Sequence, residues 1–394
     1  MIQPRGTLIK IVLAGAILYC TGGVVFFVIP ALLDNVARMY RVSPADLGML
    51  PALELWGIAL ASLTGPLWIN RFSWRLVARV SALISLVGQL ASLLATHFDA
   101  LLIVRFITGA LGEGPLLALS YSLLGQTRNV ERSFSLAYGA SIVLSMVSLY
   151  ASPQLDRALG TISVLVVLAV LSAAAFFASF LIPAGASESA DQPQQRSRTE
   201  PGAQPKAWRA LGALALLVQA VWFASAGGFW AFTEQLAANN AVPATEIAAA
   251  IAIGTGAALL GALAALGLNG RLGRTWPTAG CTLIMSATVF AFMASHGFTK
   301  ITLELSIFNI CWACGTIYLS AATCAIDESG KVAVLVPAFQ VIGDACGTFV
   351  LGHVIGHLGF DITPVVIAAL FTPALLLFLL FSSAAERKLS MSPL

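Results

Sequence analysis

Charge is scarce in this chain: Asp, Glu, Lys and Arg make up 10% of 394 residues, against 58% hydrophobic residues. Soluble domains carry roughly 25% charged residues. A water-soluble globular class is therefore excluded, and the chain reads as an all-α polytopic membrane protein. The net charge is only +3 and no basic tail is present, too little to argue for nucleic acid, which is not expected as a partner. No glycine-rich phosphate loop and no nucleophile triad occur, so neither ATP-driven chemistry nor an enzyme is expected. Histidine is limited to four residues. His353 and His357 have the i, i+4 spacing of a metal pair with Asp361 four residues on, but there is no firm third ligand, so neither metal nor cofactor is expected. All six cysteines, Cys20, Cys281, Cys311, Cys314, Cys324 and Cys346, fall inside apolar runs. They read as small packing residues and not as a disulfide framework. Cys311 and Cys314 share thioredoxin spacing, but without a βαβ context.

What the chain does have is apolar runs of about 20 residues, the length needed to span a bilayer. Twelve are expected, near 8–30, 46–69, 76–96, 100–124, 133–152, 160–182, 208–232, 246–268, 276–295, 300–324, 332–354 and 362–383. The first is longer than the apolar core of a signal peptide and has no small-residue cleavage pattern, so it counts as a span. The one long polar connection, 184–207, is rich in Pro, Gly, Ser and Gln and reads as a flexible linker. The expected division is residues 1–183, a linker 184–207, and residues 208–394.

Lysine and arginine set the orientation. With a cytoplasmic N-terminus, sixteen of the 21 basic residues fall in inside segments. Four fall outside (Arg38, Arg41, Arg157 and Lys300), and Arg105 lies within the membrane. This positive-inside bias places both termini and the linker in the cytoplasm. The halves also repeat at an offset of 200: Asp34-Asn35 with Glu234-Gln235, Val42 with Val242, Asp46-Leu47 with Glu246-Ile247, and Arg71 with Arg271. Parallel six-helix repeats place a substrate site near the midplane between the halves.

Within the spans, ionisable residues are the informative ones, because each costs on the order of 3 kcal/mol on insertion scales. Arg105 and Glu113 share the run LLIVRFITGALGE, residues 101–113. Glu113 and Asp344 lie about 13 residues into their helices, near the midplane at 1.5 Å per residue. Glu54 lies in the outer half of helix 2. Arg105 and Glu304 sit near the outer ends of helices 4 and 10, related by an offset of 199. A buried carboxyl is pulled one way by desolvation and the other by a nearby cation. Glu113, Asp344 and Glu54, with Arg105, are thus the proton-coupling candidates; a structural ion pair is the alternative for each.

Three motifs resemble those of the major facilitator superfamily. In the loop after helix 2, Pro66-Leu-Trp-Ile-Asn70-Arg71-Phe-Ser73-Trp-Arg75 is similar to the family's G-x-L-x-D-R-x-G-R-R, with Asn70 in place of the acid and Ser73 in place of the glycine. The repeat copy, Gly270-Arg271-Leu272-Gly273-Arg274, keeps the R-x-G-R core. In helix 4, Leu101-x-x-x-Arg105-x-x-Thr108-Gly109-x-x-Gly112 resembles L-x-x-x-R-x-x-Q-G-x-G. Helix 11 carries Gly343-x-x-x-Gly347-Thr348-x-x-Leu351-Gly352, akin to an exporter pattern; a small-residue packing face accounts for it equally.

The resemblance covers the whole chain. It implies a twelve-helix transporter of a small organic solute, proton-coupled, working by alternating access in the bacterial inner membrane as a monomer. It assigns gate roles to Arg71, Arg75, Arg271 and Arg274, and proton coupling or substrate charge balance to Arg105. Asp34 and Glu234 close helices 1 and 7 at the outer surface as gate or capping residues. In that architecture Tyr19, Phe26, Phe27, Tyr121, Gln219, Trp222, Trp230, Asn309, Trp312 and Tyr318 line a central cavity, with Arg105 and Glu304 as charged substrate contacts; lipid-facing packing is the alternative for each aromatic. A facilitator-type uniporter and a transporter-like receptor without net flux remain open.

Overall fold

The structure is a computed structural model that describes residues 5–69, 71–127, 130–159, 162–183, 206–240, 242–268, 273–326, 332 and 335–391. Most of the linker expected at 184–207 lies outside these, as does Arg271. Twelve helices long and apolar enough to cross a membrane are present, and no strand occurs among the described residues. In a bilayer every backbone N–H and C=O must be satisfied internally, which helices do within one segment.

Helices α1 (Arg5–Tyr40), α2 (Pro44–Trp68) and α3 (Trp74–Leu94) are followed by α4, Phe98–Gly125, which is built from three consecutive segments. Then come α5 (Val130–Leu159) and α6 (Ser163–Ala178). The remaining helices are α7 (Lys206–Asn239), α8 (Ala244–Leu268), α9 (Thr275–Met293), α10 (Phe298–Ala325), α11 (Val336–Leu358) and α12 (Thr363–Met391). The chain groups into two compact units, Met1–Val42 with Met49–Arg196, and Ser43–Gly48 with Ser197–Leu394.

In the first unit α1 packs against α4, α5 and α6, while α3 packs against α4 and α6. Serines on one stripe of α3 serve this packing: Ser85 Oγ lies 2.8 Å from Ser172 Oγ of α6. In the second unit α8 packs on α10, α7 on α11 and α12, and α9 on α10 and α12. Leucines, valines and phenylalanines that point away from these contacts remain exposed on the outer faces, as lipid requires.

Helix ends follow local chemistry. A capping box starts α2: the Asp46 amide donates to Ser43 Oγ at 3.2 Å, and Ser43 Oγ donates back to Asp46 Oδ2 at 2.7 Å. Gly297 and Gly359, with φ of 94° and 81°, make the turns before α10 and after α11 that side-chain-bearing residues resist. Two expected ends are corrected. Asp34 and Glu234 do not close their helices, because α1 runs on to Tyr40 and α7 to Asn239. Polar residues past the apolar run still suit a helix when they bond each other one turn apart. Arg38 Nη2 does this with Asp34 Oδ2 at 2.9 Å and Asn35 Oδ1 at 2.8 Å.

Candidate functional site

Four side chains from three helices of the first unit meet in its interior: Glu54 of α2, Gln89 of α3, and Arg105 and Glu113 of α4. None is more than 1% exposed. Arg105 meets Glu54 through two nitrogens of its guanidinium. Its Nε donates to Glu54 Oε2 at 3.0 Å, and its Nη2 forms an ion pair with Glu54 Oε1. Both carboxylate oxygens of Glu54 thus face the Arg105 guanidinium. Nη1 of Arg105 donates to Gln89 Oε1 at 2.6 Å, and Gln89 Nε2 donates to Glu113 Oε1 at 2.8 Å. The same carboxyl oxygen stands 3.7 Å from Arg105 Nη2. Glu113 Oε2 has no partner among the described residues.

The middle of α4 explains how Arg105 and Glu113 meet. Residues Thr108–Glu113 form a π-helical turn. In an α-helix two full turns take about seven residues, so positions eight apart point about 80° away from one another. A π-turn, with its i→i+5 bonds, accommodates an additional residue and brings an eight-residue spacing back to one face. Close approach of helix backbones holds this geometry. A methyl group on Gly57 of α2 would fall 2.6 Å from both Ala110 N and Phe106 O, and a methyl group on Gly109 would strike the Glu54 carbonyl.

The two carboxyls and one guanidinium of this cluster are fully enclosed. An ion pair excluded from water persists only when it is balanced and hydrogen-bonded. Glu54 and Arg105 balance each other. Glu113 then carries the remaining negative charge or the proton that cancels it.

The second unit buries different chemistry. Asp344 of α11 is 8% exposed, and its Oδ1, without a partner among the described residues, lies against Gly227 of α7. One turn earlier on α11, Gln340 Nε2 donates to Gln219 Oε1 at 3.1 Å and to Ser320 Oγ at 3.2 Å, and Gln219 Nε2 donates to Thr323 Oγ1 at 3.1 Å. Trp222 is fully buried and donates from Nε1 to Thr282 Oγ1 at 2.9 Å. Trp312 stacks edge-on with Trp230, Phe223 and Phe308 at centroid separations of 6.0, 6.3 and 5.8 Å. Asn309 is buried and donates to Leu305 O of its own helix at 2.9 Å. Glu304, the repeat mate of Arg105, accepts from Ser295 Oγ at 2.6 Å.

The tyrosines converge in the first unit. Tyr19 of α1 and Tyr121 of α4 have ring centroids 5.8 Å apart, Tyr121 and Phe134 of α5 are 5.0 Å apart, and Phe27 and Tyr138 are 6.2 Å apart. Tyr318 is buried in the second unit and donates to Ala265 O at 3.3 Å. Among the gate candidates, Arg75 Nε donates to Ile182 O, while Arg71 and Arg274 are exposed. Glu234 is buried. The neighbour Arg79 lies 4.3 Å over the Phe180 ring. Among the described residues no group of three or more His, Cys, Asp or Glu is placed to hold a metal ion.

The sequence profile of the Major Facilitator Superfamily matches residues 11–326. The chain belongs to that superfamily. It is a membrane transporter and not an enzyme. No curated protein matches it in sequence. Solved structures match along nearly all of its length. The nucleoside transporter NupG is 14% identical, with 96% of this chain and 98% of that one covered at a TM-score of 0.74. The D-xylose–proton symporter is 15% identical, with the same coverages and a TM-score of 0.75. A bacterial homologue of the human lysosomal transporter Spinster, in an inward-facing and unoccupied conformation, is 15% identical over 98% of each chain, with a TM-score of 0.70. At these identities the likeness is one of fold.

Gln89 is the site residue that sequence reasoning missed. It is the only amide in α3, inside an otherwise apolar and serine-bearing run, and that isolation is the signal that points to it.

Proposed function

We propose that this superfamily member is a proton-coupled secondary transporter of a small organic solute. It works by alternating access of residues 1–183 and 208–394 in a bacterial inner membrane, as a monomer with both termini cytoplasmic. The enclosed cluster of Glu54, Gln89, Arg105 and Glu113 carries this reading. Glu54 is the permanent counterion of Arg105, and Gln89 relays the orientation of Arg105 to Glu113. Glu113 is the acid that takes up and releases the proton, through its unpartnered Oε2. A carboxyl whose surroundings change with the state of the transporter changes its proton affinity, and that is the requirement for coupling. Asp344 is a second acid, and Arg71, Arg75, Arg271, Arg274, Asp34 and Glu234 belong to the gates. A symporter of D-xylose and protons has the same fold, which supports proton coupling without specifying the solute.

The test is flux in vesicles. Protein reconstituted with a pH-sensitive dye inside should acidify or alkalinise the lumen when solute is added. Glu113→Gln should abolish that proton movement while solute exchange between the two sides continues. Full proton movement in Glu113→Gln would remove Glu113 from the role, and solute flux without any proton movement in the unaltered protein would leave a uniporter.

A further inference from the structure

We infer that the solute is an uncharged aromatic compound, held on a tyrosine shelf of the first unit by ring stacking and by hydrogen bonds from phenol groups. The inference rests on the transport reading and adds the substrate class.

The first observation is where the tyrosines are. The chain has six, and Tyr19, Tyr121 and Tyr138 come from three different helices to one place. With Phe27 and Phe134 they make a run of tilted rings at separations of 5.0 to 6.2 Å, within the range of favourable aromatic contact. The rings of Tyr19 and Tyr121 are neighbours, with centroids 5.8 Å apart. Within membrane-spanning helices such rings are ordinarily consumed by packing. Here Tyr121 is 38% exposed, and the other four are half-buried. A face of partly open rings bearing hydroxyls suits a planar solute with a polar edge.

The second observation is charge. An anionic solute needs a cation at membrane depth, and Arg105 is committed on all three nitrogens, to Glu54 twice and to Gln89 once. The other described cations of the twelve helices stand within about two turns of a helix end. A cationic solute needs a carboxylate beside the rings, and none of the five shelf residues supplies one. The nearest acid on the same helix, Glu113, precedes Tyr121 by eight residues and is enclosed with Gln89. On the shelf itself, aromatic contact without a charge of either sign suits an uncharged ligand.

The experiment is equilibrium binding to the purified full-length protein. The probes are a set of uncharged aromatic compounds (nucleosides, phenols and indoles), with benzoate, benzyltrimethylammonium and xylose as charged and non-aromatic controls. At least one uncharged aromatic should bind. Tyr121→Leu and Tyr19→Leu should weaken it about tenfold, while Tyr121→Phe, which keeps the ring, should cost less. The inference is overturned if no uncharged aromatic binds, if only the controls bind, or if binding ignores both leucine variants. Parallel proton-flux measurements separate the two proposals. An uncharged aromatic that binds and crosses without proton movement contradicts coupling alone, whereas proton movement driven only by benzoate or xylose contradicts the substrate class alone.

Discussion

The first unit buries an arginine between two carboxyls and satisfies it through a glutamine, whereas in the second Asp344 is buried against a glycine with no cation paired to it among the described residues. Both have six apolar helices, and the repeat aligns Glu304 with Arg105 in sequence at an offset of 199. Their interiors nevertheless handle charge in opposite ways. The lesson concerns what each unit tolerates. A balanced cluster is strongly coupled, so removing one member strands the others. A lone acid has nothing to strand, and its neighbour can be altered only at the cost of space.

Changing one residue on each side tests that difference, and the largest effect is expected at Arg105. Arg105→Leu leaves Glu54 and Glu113 buried without a cation and should destabilise the protein by about 3–5 kcal/mol in thermal or chemical unfolding. Asp344→Asn removes an uncompensated acid of similar burial and should be near neutral or stabilising. Equal losses in the two variants would break the comparison. An intermediate effect is expected at Gly227, where an added methyl group meets Asp344. Gly227→Ala should cost about 1–3 kcal/mol. Much of that loss should vanish in the Gly227→Ala/Asp344→Ala double variant, measured as a double-mutant cycle. Additive losses would show that the two residues do not share that space. The smallest effect belongs to the outer end of the first unit, where the Arg38 side chain is 56% exposed and pairs with Asp34 at 2.9 Å. Arg38→Ala should change stability by less than about 1 kcal/mol, and less still in high salt. A larger, salt-insensitive loss would mean that this surface pair behaves like the buried cluster.

The twelve spans were readable from hydrophobic length alone, since a bilayer leaves the backbone few other choices. Their ends were less so. The run from Asp34 to Tyr40 is too polar to read as a span, yet it remains helical because Arg38 satisfies residues one turn back. Arg105, Glu113 and Glu54 each stood out as costly charges, but their meeting did not. The π-turn at Thr108–Glu113 alters the side-chain spacing, and its signature in sequence is only a cluster of small residues, Gly109, Ala110 and Gly112, which also serves ordinary helix packing. Gln89 escaped because a neutral amide carries no insertion penalty comparable to a charge. Trp222 and Trp230 read equally well as cavity lining and as packing. Their near-complete burial depends on which neighbours α9 and α10 supply, and that is a property of the assembled unit.

The central claim is that Glu113 holds a proton that balances the cluster, and infrared spectroscopy reads it directly. In the carboxylic C=O region, the protein at neutral pH should show an absorption from a protonated buried carboxyl that disappears in Glu113→Gln and persists in Asp344→Asn. A spectrum unchanged by Glu113→Gln would contradict the account.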